Sequence, residues 1–590
     1  MSPAARNKAR AAKAAATGEE RAPRTQRAAE AGRSADGARL GPRDHRPSAL
    51  APAPERAATA RRIWLYPLSV LTGISMSAFF LVHEMDVVHG SGPGGGFWDV
   101  FFTLSVSDAS QAMGGIGEVI AAILGIVITV ASIIVQLAAT RYSARVTEMF
   151  FRDRTNLAVM AFFVVSAVFS LWVNFSIRAA ADGSEPTFVP RYGVLVTMVL
   201  LTLSLLLMAP YFAYVFDFLE PDKIVGRIKA SGIGQALRAQ GGEVEARVGE
   251  RQMLALSSLE QLADVALNAI EAKDKGIATD TVDAVCDLVI SYLPRKGELD
   301  ERWFQIQGRL RRDPDFVSMN TEALDKLTAT HTWLEYKALR QYLMIYREAL
   351  TLLPDIINLI AIDTRYMGQA AVRAGDRAAL GVVVKFFNTY MRRALNARDI
   401  AAGYNNLNQY RYLGEELLQA GWDDEVVRIA EHFRYYAQTA QANKLPFLTE
   451  TVAFDLCTLN ELAHDLGSGC REALLRTFLE VDKEADLEHQ DSCLRGVRKA
   501  QVKLATHYLM KGDEGLARKI WRDMKDERPD RLRSIQSELL AVTTSEFWEV
   551  NDRGGVFEYI EPERREFIHA FFAWFPTVSV RPPPPAVEAD

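Results

Sequence analysis

Apolar residues are arranged in two patterns along this chain, and the change falls near residue 218. Before it they gather into four runs, 63–82, 114–138, 157–177 and 192–216, each near the 20 residues a helix needs to cross a bilayer. Beyond it they recur three and four positions apart with charges between them, as in LEQLADVALNAIEA and LEYKALRQYLMIYREALTLL, the mark of helices with one buried face. No period-2 alternation of useful length occurs. The pattern predicts an all-α protein, with a four-helix transmembrane domain over 63–218 followed by a cytoplasmic helical domain over 219–576.

The second run, GGIGEVIAAILGIVITVASIIVQLAAT, carries its polarity on one side. At about 100° per residue, Glu118, Ala122, Gly125, Thr129, Ser132 and Gln136 fall within roughly 80° of one helix face. Gly117, Ala121 and Gly125 form a row of small residues beside them, which permits close helix approach. Two readings are open. In one, Thr129, Ser132 and Gln136 bond within the bundle to Ser166, Ser170 and Asn174 on the third run. In the other, Glu118, Gly125, Thr129, Ser132 and Gln136 line a pore on the axis of a homo-oligomer. A charge at mid-membrane costs about 2.5–3.5 kcal/mol on insertion scales, which favours a functional role for Glu118. The expectation is a cation-permeable channel, with Glu84, Asp86 and Asp108 at an acidic external mouth and Arg141 and Arg145 at the inner one. The alternative is a non-conducting scaffold or signalling protein whose helical domain recruits a cytoplasmic partner.

Within the helical half a motif recurs. GDRAALGVVVKFF, GWDDEVVRIAEHF, GSGCREALLRTFL and GDEGLARKIW begin at Gly375, Gly421, Gly467 and Gly512, and each runs from a turn glycine through an amphipathic helix to an aromatic. The aromatics Phe387, Phe433, Phe478 and Trp521 stand 46, 45 and 43 residues apart. Repeats of about 45 residues from about 360 to 530 predict an α-solenoid, with Phe433, Phe478 and Trp521 buried between stacked pairs. The last unit resembles a tetratricopeptide repeat in Leu504, Ala505, Tyr508, Gly512, Ala517 and Pro529, and the others depart from that pattern.

Charge sets the orientation. No Lys or Arg occurs from Ile63 to Thr140, whereas Arg141, Arg145, Arg152 and Arg154 separate the second and third runs and Lys223, Arg227 and Lys229 follow the fourth. The positive-inside rule then puts both termini in the cytoplasm of a multi-pass inner-membrane protein. Residues 1–62 hold 14 Lys/Arg against 6 Asp/Glu and no aromatic, a basic tail unable to build a core. It either touches anionic lipid headgroups or only reinforces orientation. Residues 577–590 form a Pro-rich tail. The four cysteines make no disulfide framework.

Chemistry is scarce. GSGPGGG and GGIG lack the strand and Lys-Ser/Thr context of a phosphate loop, and no nucleophile elbow or paired-Cys spacing occurs. No enzyme, no cofactor and no nucleic-acid partner are expected; membrane lipids and inorganic cations are. In HEMDVVH, His83, Asp86 and His89 are spaced to share a divalent cation, and they equally suit a polar collar at the lipid–water boundary.

VQLAATRYSARVTEMFFRDR (Val135–Arg154) resembles the signature of the bacterial integral-membrane domain-of-unknown-function family 2254, through Gln136, Leu137, Ala138, Tyr142, Ser143, Arg145, Phe150 and Asp153. Leu256–Val289 is similar to that family's cytoplasmic segment, although Glu271–Asp280 lacks its Ser-Pro and Asn-Asp-Pro turn. The resemblance covers about 105–180 and 250–295. It implies a membrane assembly and no particular activity, with the C-terminal repeat as an addition.

Overall fold

The computed structural model describes residues 73, 77, 81, 106–141, 150–151, 153–178, 188–238, 245–482, 490–549 and 552–576. Three described helices are long and apolar enough to cross a membrane: α1 (Val106–Arg141), α2 (Arg154–Ser176) and α3 (Arg191–Phe218). The first apolar run lies outside the described residues apart from Gly73, Ser77 and Leu81, which are helical and exposed. Helix α1 starts eight residues before its apolar run, with Asp108 in its first turn. Hydropathy marks only the part of a helix that lipid can cover, and a carboxylate is favourable at the positive N-terminal end of the macrodipole.

The three helices close on a core of Ile123, Val127, Ala131 and Ile134 from α1, Val159 and Phe163 from α2, and Tyr211 and Val215 from α3. A smaller cluster of Met113, Val173 and Val194 fills the far end. A Cβ at Gly117 would meet Ser170 Oγ at 3.3 Å, so that glycine lets α1 and α2 approach. Thr197 donates to its own helix at Gly193 O (2.8 Å), while the hydroxyls of Ser166, Ser170 and Ser204 are buried without partners.

The chain leaves α3 through Leu219–Glu220 into α4 (Pro221–Leu237), which packs with α5 (Glu245–Glu271) and α6 (Lys275–Tyr292). After short helical turns between 293 and 329, helices alternate between two layers. One layer stacks α6, α8 (Asp355–Arg373), α10 (Ile400–Gln419), α12 (Pro446–Asp465) and α14 (Gln490–Met510), each against the next. The other runs α7 (Trp333–Leu352), α9 (Arg377–Ala397), α11 (Asp423–Ala442) and α13 (Arg471–Leu479), and α15 (Glu514–Met524) packs on α14.

The recurring glycines have a physical reason. Gly375, Gly421, Gly467 and Gly512 take φ of 71°, 73°, 67° and 80°, the left-handed cap that ends a helix at little cost only in glycine. Contacts repeat as well: Cβ atoms at Gly368, Gly403 and Gly414 would meet Leu413, Leu448 and Leu459, each 45 residues on, at 2.8–3.1 Å. Small residues in one helix thus seat a leucine of the next. Phe433 and Phe478 are fully buried. Trp521 departs from expectation and is half-buried. Its helix packs under the closing segment, and its indole Nε1 donates to Trp574 O (3.2 Å), so the ring sits at a margin.

Candidate functional site: the polar face of α1 and the C-terminal end of the helix

Glu118, Gly125, Thr129, Ser132 and Gln136 are all exposed on the protomer. The buried line of the same helix, Ile120, Ile123, Val127, Ala131, Ile134 and Ala138, is centred roughly 180° away. The bundle is therefore held by the apolar face, and the polar arc points outward from it. From Glu118 to Gln136 the arc extends about 27 Å along the axis, nearly the thickness of a hydrocarbon core, about 30 Å. Exposed Ile126, Ile133 and Leu137 flank it.

The structure decides against bonding from this arc to the serines of α2. Thr129 Oγ1 donates to Gly125 O on its own helix (2.8 Å), while the buried hydroxyls of Ser166 and Ser170 make no hydrogen bond and Asn174 is half-buried. No neighbour lies within 4 Å of a Cβ built at Gly125, so its small size serves no contact among the described residues. Glu118 makes no ion pair among the described residues. Asp108 is exposed about 15 Å further along the helix. Arg141 ends α1 with its side chain outside the described residues, and Arg145, His83, Glu84, Asp86 and His89 fall outside them altogether.

Where α2 begins and α3 ends, a polar cluster locks these two helices together. Asp153 caps α2 by accepting from the Thr155 and Asn156 amides (2.9 and 3.4 Å). It also accepts from Tyr214 Oη of α3, and Tyr211 Oη donates to Asn156 Oδ1 (2.9 Å). Phe150 and Phe218 meet edge to face at 5.2 Å, and the Arg227 guanidinium of α4 lies 4.2 Å over the Phe218 ring. Sequence reasoning singled out Phe150 and Asp153 but missed Asn156, Tyr211, Tyr214 and Phe218. The signal for the last three was their spacing of three, then four, down one face of α3. Ala138, in the last turn of α1, belongs to the core of the helical domain, so one helix is packed into both bodies.

The helical domain carries a separate basic cleft of about 380 Å³. Lys326, Lys385, Arg428 and His432 line it with no carboxylate among the lining residues. Burial, then the charges of Lys326 and Arg428, hold the Lys385 ammonium below its ordinary range. Burial and Arg428 do the same to His432.

Among the described residues these features define a helical protein with three membrane-capable helices joined to a large helical domain. Residues 60–279 match the family described as predicted membrane protein, DUF2254, and over that stretch the chain is similar to this family. The match takes in α1–α5 and the start of α6, including the Asp153–Tyr214 lock, and is wider than the two segments quoted above. No curated protein and no solved structure matches the chain.

Proposed function

We propose that the chain is a homo-oligomeric ion channel, permeable to cations, in which the polar face of α1 lines a shared axis. One observation carries this reading: the arc from Glu118 to Gln136 is exposed opposite the helix's packing face. Lipid is a poor neighbour for a carboxylate, at about 2.5–3.5 kcal/mol on insertion scales, and another copy of the same arc around water is a good one. A ring of Glu118 carboxylates would favour cations, with Arg141 and Arg145 toward the inner mouth. In this reading residues 63–82 supply a fourth span, both termini are cytoplasmic in a bacterial inner membrane, and the two-layer stack is an α-solenoid of tetratricopeptide-like character that governs the path.

Purified protein in planar bilayers tests it. Cation current is expected from the wild type, and Glu118→Gln is expected to lower the cation-over-anion permeability ratio at unchanged assembly. Silent bilayers from a confirmed oligomer, or a ratio indifferent to Glu118, would refute conduction. Cysteines at Gly94 and Gly183 should react with an impermeant thiol reagent from outside the cell and one at Ser143 should not; labelling at Ser143 would break the orientation. The basic cleft favours one second reading, a non-conducting scaffold whose helical domain captures an acidic partner.

A further inference from the structure

Helices α12 and α14 pack side by side and end at the same edge of the stack. His464 and Asp465 close α12, and His507 lies in the last turn of α14. One ring nitrogen from each histidine and one Asp465 carboxylate oxygen all lie within 4.8 Å of one another. His507 Nε2 is 3.2 Å from Asp465 Oδ1, and His464 Nε2 is 3.5 Å from Asp513 Oδ2. Asp513 caps α15 through its other oxygen, Oδ1, which accepts from the Leu516 amide (3.0 Å), leaving Oδ2 toward the histidine.

Two nitrogens in this cluster are orphaned. His464 Nδ1 and His507 Nε2 are buried and neither makes a hydrogen bond; the His507 side chain is only 5% exposed. A buried polar atom left unpaired costs about 1–3 kcal/mol, so two in adjoining rings call for a reason. A salt bridge does not supply it. Burial lowers the affinity of His507 for a proton, against the opposing pull of Glu461 and Asp465. Neutral imidazole beside carboxylate oxygen is the donor set of borderline dications. Other groups face the cluster too. Lys511 Nζ lies 2.9 Å from Asp465 Oδ1 on a side chain 42% exposed, free to swing into solvent, and Arg564 acts on His507 from the far side.

We infer that His464, Asp465 and His507, with Asp513 as fourth donor, form a site for a transition-metal dication of the Zn²⁺ class that ties the ends of α12 and α14 together. Such an ion would bridge neighbouring helices within one layer of the stack and stabilise the folded domain as its free concentration rises.

The test uses untagged, full-length protein in detergent, stripped with a chelator and titrated with Co²⁺, whose visible ligand-field absorption reports imidazole and carboxylate ligation. The wild type is expected to bind one ion per chain with intense bands, and excess Zn²⁺ should displace them. Asp465→Asn and His464→Ala are expected to weaken binding by at least the 10–100-fold that loss of an outer-shell partner costs. His432→Ala, elsewhere in the domain, should leave it unchanged. Lys511→Met should bind more tightly, because it removes a competing cation without touching a donor. Far-UV circular dichroism shows whether each variant is folded, and the thermal midpoint should rise with Zn²⁺ in the wild type and not in Asp465→Asn. Absence of ligand-field bands in the wild type overturns the site, as does equal binding by folded His464→Ala and Asp465→Asn.

Discussion

Lys337→Met is expected to destabilise the helical domain by about 3–5 kcal/mol, the usual loss when one partner is taken from a buried ion cluster. The Lys337 side chain is 2% exposed. Its ammonium donates to both oxygens of Asp313 (2.9 Å each), to Asp315 Oδ2 (2.8 Å) and to Glu260 Oε1 (3.2 Å). These bonds fasten the short helix Pro314–Val317 to α5 and α7. Methionine keeps the packing volume and deletes only the charge, leaving Asp313 and Asp315 facing each other in the interior.

The pH dependence has a definite sign. Burial by itself would raise the Asp315 carboxyl, and Lys337 and Arg340 overcome it, so its pKa sits below the ordinary value. A lowered folded-state pKa contributes stability that is present above the unfolded carboxylate range, about 4, and fades as pH falls through the folded value. In the variant burial acts almost unopposed on Asp313 and is countered at Asp315 by Arg340 and the Gln341 amide. Both folded pKa values rise, and protonation then favours the native state. The deficit relative to wild type should be largest at pH 7 and shrink toward about pH 4. Denaturation followed by circular dichroism across that range measures it; a constant or widening deficit on acidification would contradict the arrangement.

Phe433→Ala should cost a similar amount, about 3–5 kcal/mol. Phe433 is fully buried and meets Tyr410 edge to face at 5.2 Å, while Tyr410 stacks on Phe387 at 4.8 Å with 4° between planes. The three rings join the successive helices α9, α10 and α11, so truncating Phe433 opens a cavity that rigid neighbours cannot fill. Trp521→Ala, at the half-buried margin, should cost less. Equal losses at both positions would mean that exposure does not govern what these rings contribute to the helical domain's stability. Neither change should alter membrane insertion.

What the sequence made legible follows from what each signal depends on. The left-handed turns at Gly375, Gly421, Gly467 and Gly512 were readable because glycine is nearly obligatory there. Arg398 and Lys444 take the same conformation at φ 55° and 60° and could not be read, since ordinary residues pay strain there and leave no mark. The polar arc of α1 was readable from its period. Its direction was not, because lipid and the protein interior are about equally apolar. Long-range pairs were invisible for another reason: Tyr214 and Asp153 stand 61 residues apart, and His464 and His507 lie on separate helices. Trp521 matched its repeat position and still missed the core, because the repeat motif does not encode where the stack ends.

Helix α1 has 36 residues and is about 54 Å long, against a hydrocarbon core of about 30 Å. Ala138, set in the helical domain's core, acts as a fulcrum, and Glu118 rides about 30 Å out along the lever arm. A tilt of about 5° at that fulcrum carries the carboxylate sideways by about 2.6 Å at this arm length, close to the diameter of a water molecule. In the proposed channel, movements of the helical domain too small to disturb its own packing would be magnified at the Glu118 end of α1.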